Sequence, residues 1–311
     1  MNILDAALGA AWAMEQWAID NLLQIAAREN NPTFEALEAY RAKALEKADR
    51  ATTRDGVAIL NVEGPLFKKA NLMTELCGAT SYETLRRDLQ ASLDDSRVRA
   101  ILLNIDSPGG EARGVGELAT AVRAARGVKP IVAYAGDLAA SAAYWIASAA
   151  DRIVIGEGAA LGSIGVRAAF SDTSERDAAR GVKTIEFVSS QSPYKSADLN
   201  SKDGRARIQA RVDALADVFV NAVAENRDAS RAYVLERFGK GDVLIGKAAI
   251  DAGMADEFGT FEKVLSELAG GKTKRAPHSS PRASLPPNSQ KGADEMTAQA
   301  ILAARNLALG N

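Results

Sequence analysis

The segment RAILLNID, residues 99–106, constrains the fold most. It is nearly all apolar and runs straight into SPGG, residues 107–110. A strand of that kind is buried on both faces of a sheet, and such strands belong to parallel sheets covered by helices. The rest of the chain fits this frame. GVAILNVEG (56–64), KPIVAYAG (129–136) and RIVIG (152–156) read as strands, and so do IGVRAAF (164–170) and KTIEFVSS (183–190), around a short helix. Between the earlier strands lie helical stretches at 81–93, 111–126 and 137–151. Strands that alternate with helices predict an α/β domain with a largely parallel sheet. Active sites of such domains gather beyond the carboxyl ends of the strands, where SPGG and the turn at Gly136 fall.

A long amphipathic helix is predicted over 202–226, with Ile208, Val212, Leu215, Phe219 and Val223 on its core face. GKAAIDAGMADEFGT (246–260) predicts a short helix that stops with Gly253 in the C′ position. A last helix covers 260–269. Two further helices are predicted at 3–28 and 33–49, the first amphipathic through Leu4, Leu8, Ala11, Trp12, Met14 and Trp17. That first helix has an acidic polar face, unlike helices that lie on membranes. No apolar run reaches the length of a membrane span. The resulting boundaries are an N-terminal helical extension (1–54), an α/β domain (55–269), a flexible linker (270–292) and a short helical segment (293–311). The linker is rich in Gly, Pro, Ser and basic residues and has no acidic ones. Met296, in the last segment, is read as an ordinary methionine rather than an internal start.

Histidine narrows the chemistry. The chain has 311 residues and one histidine, His278, within the linker. A catalytic base must stand within hydrogen-bond reach of its nucleophile, which a flexible segment does poorly. Ser–His–Asp catalysis, Cys–His catalysis and histidine-ligated zinc are therefore discounted. No metal or cofactor is expected. The single cysteine, Cys77, excludes an internal disulfide, and with no histidine beside it a structural role is expected. A net charge of −2 gives no field that would attract nucleic acid.

Two motifs carry chemistry. In SPGG, following a strand and opening a helix, two glycines let backbone N–H groups face a substrate and hold a developing oxyanion; alone, the motif is equally a plain tight turn. In GDLAASAAYWIAS, Ser141 follows a strand and stands at a helix start among Ala139, Ala140, Ala142 and Ala143. These small neighbours let a peptide approach the hydroxyl. The N–H of Ala142 is placed to join that of Gly110, with Gly109 as a further candidate donor. The bland alternative is a serine that caps its helix. Ser148, deeper in the same helix, is expected to be packed.

Together SPGG and this serine helix resemble the ClpP/crotonase superfamily. ASAAYWIASAADRIVIGEGAALGSIGV is similar to the nucleophile region of the signal peptide peptidase A family, the S49 serine peptidases. PYKSADL (193–199) resembles that family's lysine motif, and GKAAIDAGMADEFG its C-terminal helix and turn. The resemblance covers about residues 55–265. It implies an α/β spiral of ββα units, Ser141 as nucleophile, Lys195 as general base, Ser163 as the residue that orients the lysine, and an oxyanion hole at Gly110 and Ala142. By spacing alone Lys195 would be a solvated loop lysine; Lys202 and Lys183 are weaker candidates. A lysine serves as base when burial lowers its pKa. In the family this lysine can come from a neighbouring subunit of a ring, so a homo-oligomer is expected.

The chain departs from the cellular members of that family: no membrane anchor and one copy of the domain are read here, and Ala142 and Ala143 stand where glycines are usual. These features resemble the bacteriophage branch, the prohead or minor capsid proteases. That branch implies action in the cytoplasm of a bacterial host or inside a procapsid, on scaffold, portal or major capsid proteins. Two other readings stay open: a crotonase-type acyl-CoA hydratase or isomerase, with Glu111 as its carboxylate, and a non-catalytic capsid assembly component.

Overall fold

The computed structural model describes residues 11–20, 51–69, 80–170, 174–183 and 185–271. The predicted helix at 33–49, Cys77, His278, Met296 and the segment 293–311 lie outside them. Along the chain the strands begin with β1 (Ala11–Met14), β2 (Thr52–Arg54), β3 (Val57–Glu63), β4 (Leu66–Phe67) and β5 (Thr80–Ser81), followed by helix α1 (Tyr82–Asp94). Next come β6 (Ala100–Ser107), β7 (Gly109–Glu111), α2 (Val115–Ala125), β8 (Ile131–Ala140), α3 (Ala142–Ser148), β9 (Arg152–Ile155), β10 (Ala160–Gly162) and β11 (Arg167–Ala168). The remainder is α4 (Ser174–Ala179), α5 (Lys202–Asn226), α6 (Arg231–Arg237), β12 (Val243–Ile245), α7 (Lys247–Asp251), β13 (Glu257–Phe258) and α8 (Phe261–Ala269).

The larger sheet runs β12-β10-β8-β6-β3-β2, with β9 paired to β8 and β13 to β9. Its centre is parallel: β3 pairs β6 in unbroken register from Val57↔Ala100 to Glu63↔Asp106, and β6 pairs β8. The smaller sheet runs β11-β1-β7-β4-β5. A long strand of the large sheet, a short strand of the small sheet and a helix recur in sequence, as β3–β4–β5–α1 and then β6–β7–α2. This is the α/β spiral of ββα units.

β6 is covered on both faces, as its composition requires. Ile101, Leu103 and Ile105 pack in the core with Leu85, Leu89, Leu118 and Val122 of α1 and α2. Ala100 and Leu102 pack on the opposite face against Val264, Leu265 and Leu268 of α8. Alternate residues of one strand thus enter two cores.

Several expectations need correction. Within the helix predicted at 3–28, residues 11–14 are a strand and only 16–20 are helical among the described residues. Hydrogen bonding to two neighbouring strands there outweighs the helical propensity of alanine. The helix predicted at 137–151 is shorter, because β8 continues to Ala140 and α3 covers only Ala142–Ser148. SPGG leads into a strand, with α2 starting only at Val115. KTIEFVSS forms no strand among its described residues, and IGVRAAF only the two-residue β11. Of the core face predicted for α5, Phe219 and Val223 are buried, while Ile208, Val212 and Leu215 are half-buried.

Candidate active site

The site forms where β6 and β8 leave the large sheet. β6 and β8 are in register up to Ile105↔Ala135 and again at Ser107↔Ala139, so β8 bulges between these points. A bulge bends its strand and re-aims the chain beyond it. There Ala139 and Ala140 pair with Leu161 and Gly162 of β10, and the Ser141 N–H donates to the Gly162 carbonyl at 2.6 Å.

Ser141 then adopts φ 55° and ψ −119°, at the N-cap position of α3, with no side-chain capping hydrogen bond. A non-glycine residue in this region costs on the order of 1–3 kcal/mol and persists only where its surroundings enforce it. A capping serine would have extended backbone and bond to an N–H one turn on; Ser81, at the start of α1, does both. Ser141 does neither. The sharp strand-to-helix turn presents a side chain at the top of the sheet, as nucleophile elbows do.

Helix α3 is held from several sides. Trp145 stacks on Phe219 of α5 with ring centroids 4.5 Å apart. Arg126 donates to the carbonyls of Ser148 and Ala149 at its far end. Ser148 is packed as expected, its hydroxyl donating to the Trp145 carbonyl and accepting from Asn226.

SPGG lies against this turn. The Ser107 hydroxyl donates to the Gly64 carbonyl at 2.6 Å and accepts from the Gly109 N–H at 3.2 Å. The Gly109 N–H, a candidate oxyanion donor, is thus engaged by Ser107. Ser107 was not singled out from the sequence; its signal is the serine turn, a hydroxyl bonding the backbone two residues on. Side chains are excluded at both glycines. A Cβ on Gly110 would collide with the backbone of Leu66. One on Gly109, at φ +97°, would collide with the Ala13 carbonyl oxygen and lie 2.9 Å from Ser141 Cβ. That contact puts SPGG and Ser141 side by side. Ala142 opens α3, where N–H groups have no intrahelical acceptor.

Ser163 belongs to the same corner. It follows Gly162, has φ 53°, is half-buried, and its N–H donates to the Asp242 carbonyl at 2.9 Å. Lys195 is placed differently. It sits in a turn before α5, its N–H bonded to the Ser192 carbonyl, with its side chain exposed. No hydrogen bond joins it to Ser141 or Ser163 among the described residues. Glu111, the carboxylate of the hydratase reading, accepts the Lys68 N–H at 2.6 Å. No cluster of metal-ligating side chains occurs among the described residues, and no helix among them is long and apolar enough to cross a membrane.

An α/β spiral with a strained serine at a strand-to-helix turn and a double-glycine strand beside it defines the class of fold. Comparison with known proteins places the chain within it. The profile of Peptidase family S49 matches residues 123–274. Putative protease slr0021 of Synechocystis sp. is 30% identical over 196 residues, covering 60% of this chain and 69% of that protein. The chain belongs to peptidase family S49. Capsid assembly protease C of Escherichia phage lambda is 34% identical over 208 residues, 65% of this chain and 46% of that protein. Head-tail preconnector protein GP5 of Enterobacteria phage P21 is 32% identical over 217 residues, 69% of this chain and 43% of that protein. The chain thus spans just under half the length of these two phage relatives.

Proposed function

We propose that the protein is a serine endopeptidase that cleaves peptide bonds by acyl transfer, using Ser141 and Lys195. The backbone of Ser141 carries this reading, because strain of that kind collects where a side chain must be presented to a substrate. Ser141 attacks the peptide carbonyl while Lys195 removes its proton. The N–H groups of Gly110 and Ala142 hold the oxyanion, and such donors act most strongly in a site closed to water. Lys195 then protonates the leaving amine, and water releases the acyl group. Ser163 orients the lysine.

A lysine serves as base when it is desolvated. The solvated position of Lys195 in a single chain therefore favours a pair completed between neighbouring copies. The names of the phage relatives support a role in head assembly, in the host cytoplasm or a procapsid. Scaffold, portal or major capsid proteins are the substrates of this reading.

Ser141→Ala tests the mechanism. Cleavage of a capsid-protein substrate should fall by at least about three orders of magnitude, the scale on which loss of a nucleophile acts, while the fold persists. A fluorophosphonate should label Ser141 in the unaltered protein. Cleavage by the variant at the unaltered rate would sink the assignment.

A further inference from the structure

A strand already lies against the nucleophile, and it comes from the chain itself. β1 pairs antiparallel with β7, Trp12 opposite Glu111, Ala13 opposite Gly110 and Met14 opposite Gly109. Its other edge pairs antiparallel with β11, Ala11 opposite Ala168 and Trp12 opposite Arg167. The Ala112 N–H donates to the Ala11 carbonyl and the Glu15 N–H to the Pro108 carbonyl, each at 3.0 Å. Hydrogen-bonded pairs alternate along an antiparallel ladder. Ala13 and Gly110 therefore form the bonded pair between those two, and the Gly110 N–H faces the Ala13 carbonyl. The same carbonyl crowds Gly109 beside Ser141 Cβ. Ser141 is left 1% exposed.

The side chains of β1 fit their places. Ala13 is fully buried in the core that also holds Ala139 and Ala142. Trp12, on the other face, is 4% exposed and meets Phe67 edge-on at 5.8 Å. A larger residue at 13 would have to displace the wall that carries the nucleophile.

We infer that Ala11–Met14 is a built-in occupant of the peptide groove, lying between β7 and β11 and covering Ser141 with the Ala13 carbonyl. The inference rests on Ser141 being the nucleophile. Any other substrate must displace this strand. The ligand class comes from its register: an extended peptide with a small residue where its carbonyl meets Ser141, preceded by a large apolar one.

The test uses the full chain and a fluorophosphonate probe. Ala13→Arg should expel the strand and speed labelling of Ser141 by about tenfold or more, in proportion to the open fraction. Trp12→Ala, which adds no charge, should act in the same direction and guards against a folding defect. A synthetic peptide spanning residues 9–16 should slow labelling of Ala13→Arg again; the same peptide with arginine for Ala13 should not. Equal labelling of the variants and the unaltered chain overturns the inference and leaves the nucleophile standing. No labelling of any of them overturns the nucleophile instead. Amide exchange over 109–112 in a Ser141→Ala background then decides the strand's position. Loss of protection on adding Ala13→Arg supports it, and unchanged protection overturns it.

Discussion

At the residue scale, the backbone of Ser141 carries a cost in stability. Its φ of 55° suits glycine, so removing the side chain should relieve the backbone. Ser141→Ala keeps the strain, and Ser141→Gly releases it. The glycine variant should be the more stable of the two by about 1 kcal/mol, read from urea midpoints, and both should be inactive. Equal midpoints would mean that the turn is not strained. Asp106, at the end of β6, carries a second local cost. Although the residue is largely exposed, partial desolvation of its carboxyl first, and the nearby charge of Asp137 second, hold it above the usual range. A raised carboxyl pKa means that the folded state binds the proton more tightly. The linked stability is present in acid, below the unfolded value, and is lost as pH rises through the folded value. Asp106→Asn should therefore stabilise the protein at pH 7, with the gain shrinking as pH falls through the carboxylate range. A gain that is constant with pH would refute this. Ser141 and Gly110 could be singled out from the sequence because each lies on a short, local strand-to-turn motif, whereas Ser163 entered only by family likeness. Lys195 also entered only by family likeness, because a loop lysine has no local signature.

At the element scale, legibility tracked how far each element depends on itself. Helices α5 and α8 have side-chain caps and periodic apolar faces of their own, and they form where the pattern puts them. β1 does not: AWAM alternates small and large residues over too few positions to outweigh an alanine-rich helical setting. Only pairing with β7 and β11 makes it a strand. The reverse holds for KTIEFVSS, which has the alternation of a strand and no strand to pair with among the described residues. Elements are also joined by polar contacts that no periodicity reveals. Arg227, at the end of α5, pairs with Asp256 at 2.7 Å, with side-chain exposures of 3% and 9%. It also donates to the Gly253 carbonyl, while Asp256 accepts from the Ile153 N–H. Asp256→Ala removes the carboxylate that neutralises a buried guanidinium and should cost about 3–5 kcal/mol. A loss below about 1 kcal/mol in chemical denaturation, the range of exposed pairs, would show that the pair is not buried in solution.

At the scale of the whole molecule, one stretch of the described residues exposes large apolar side chains. Val182, Ile185 and Tyr194 are exposed, Phe187 is 93% exposed, and Lys195 stands beside them in sequence. The first half of α5, with Ile208, Val212 and Leu215 half-buried, belongs to the same stretch. Exposed apolar groups gathered around one region mark an association surface. The lysine proposed as base is next in sequence to these exposed groups. Burial against a neighbouring copy would supply the desolvation that its chemistry needs. A head-to-tail ring would place the lysine of each copy against the serine of the next. Mixing two inactive proteins tests this arrangement. In assemblies refolded together from equal parts of Ser141→Ala and Lys195→Ala, random neighbours would leave about a quarter of the sites with both residues intact. Activity should return toward that fraction, although each variant alone is inert. If serine and lysine act within one chain, every site in the mixture lacks one of them and no activity returns.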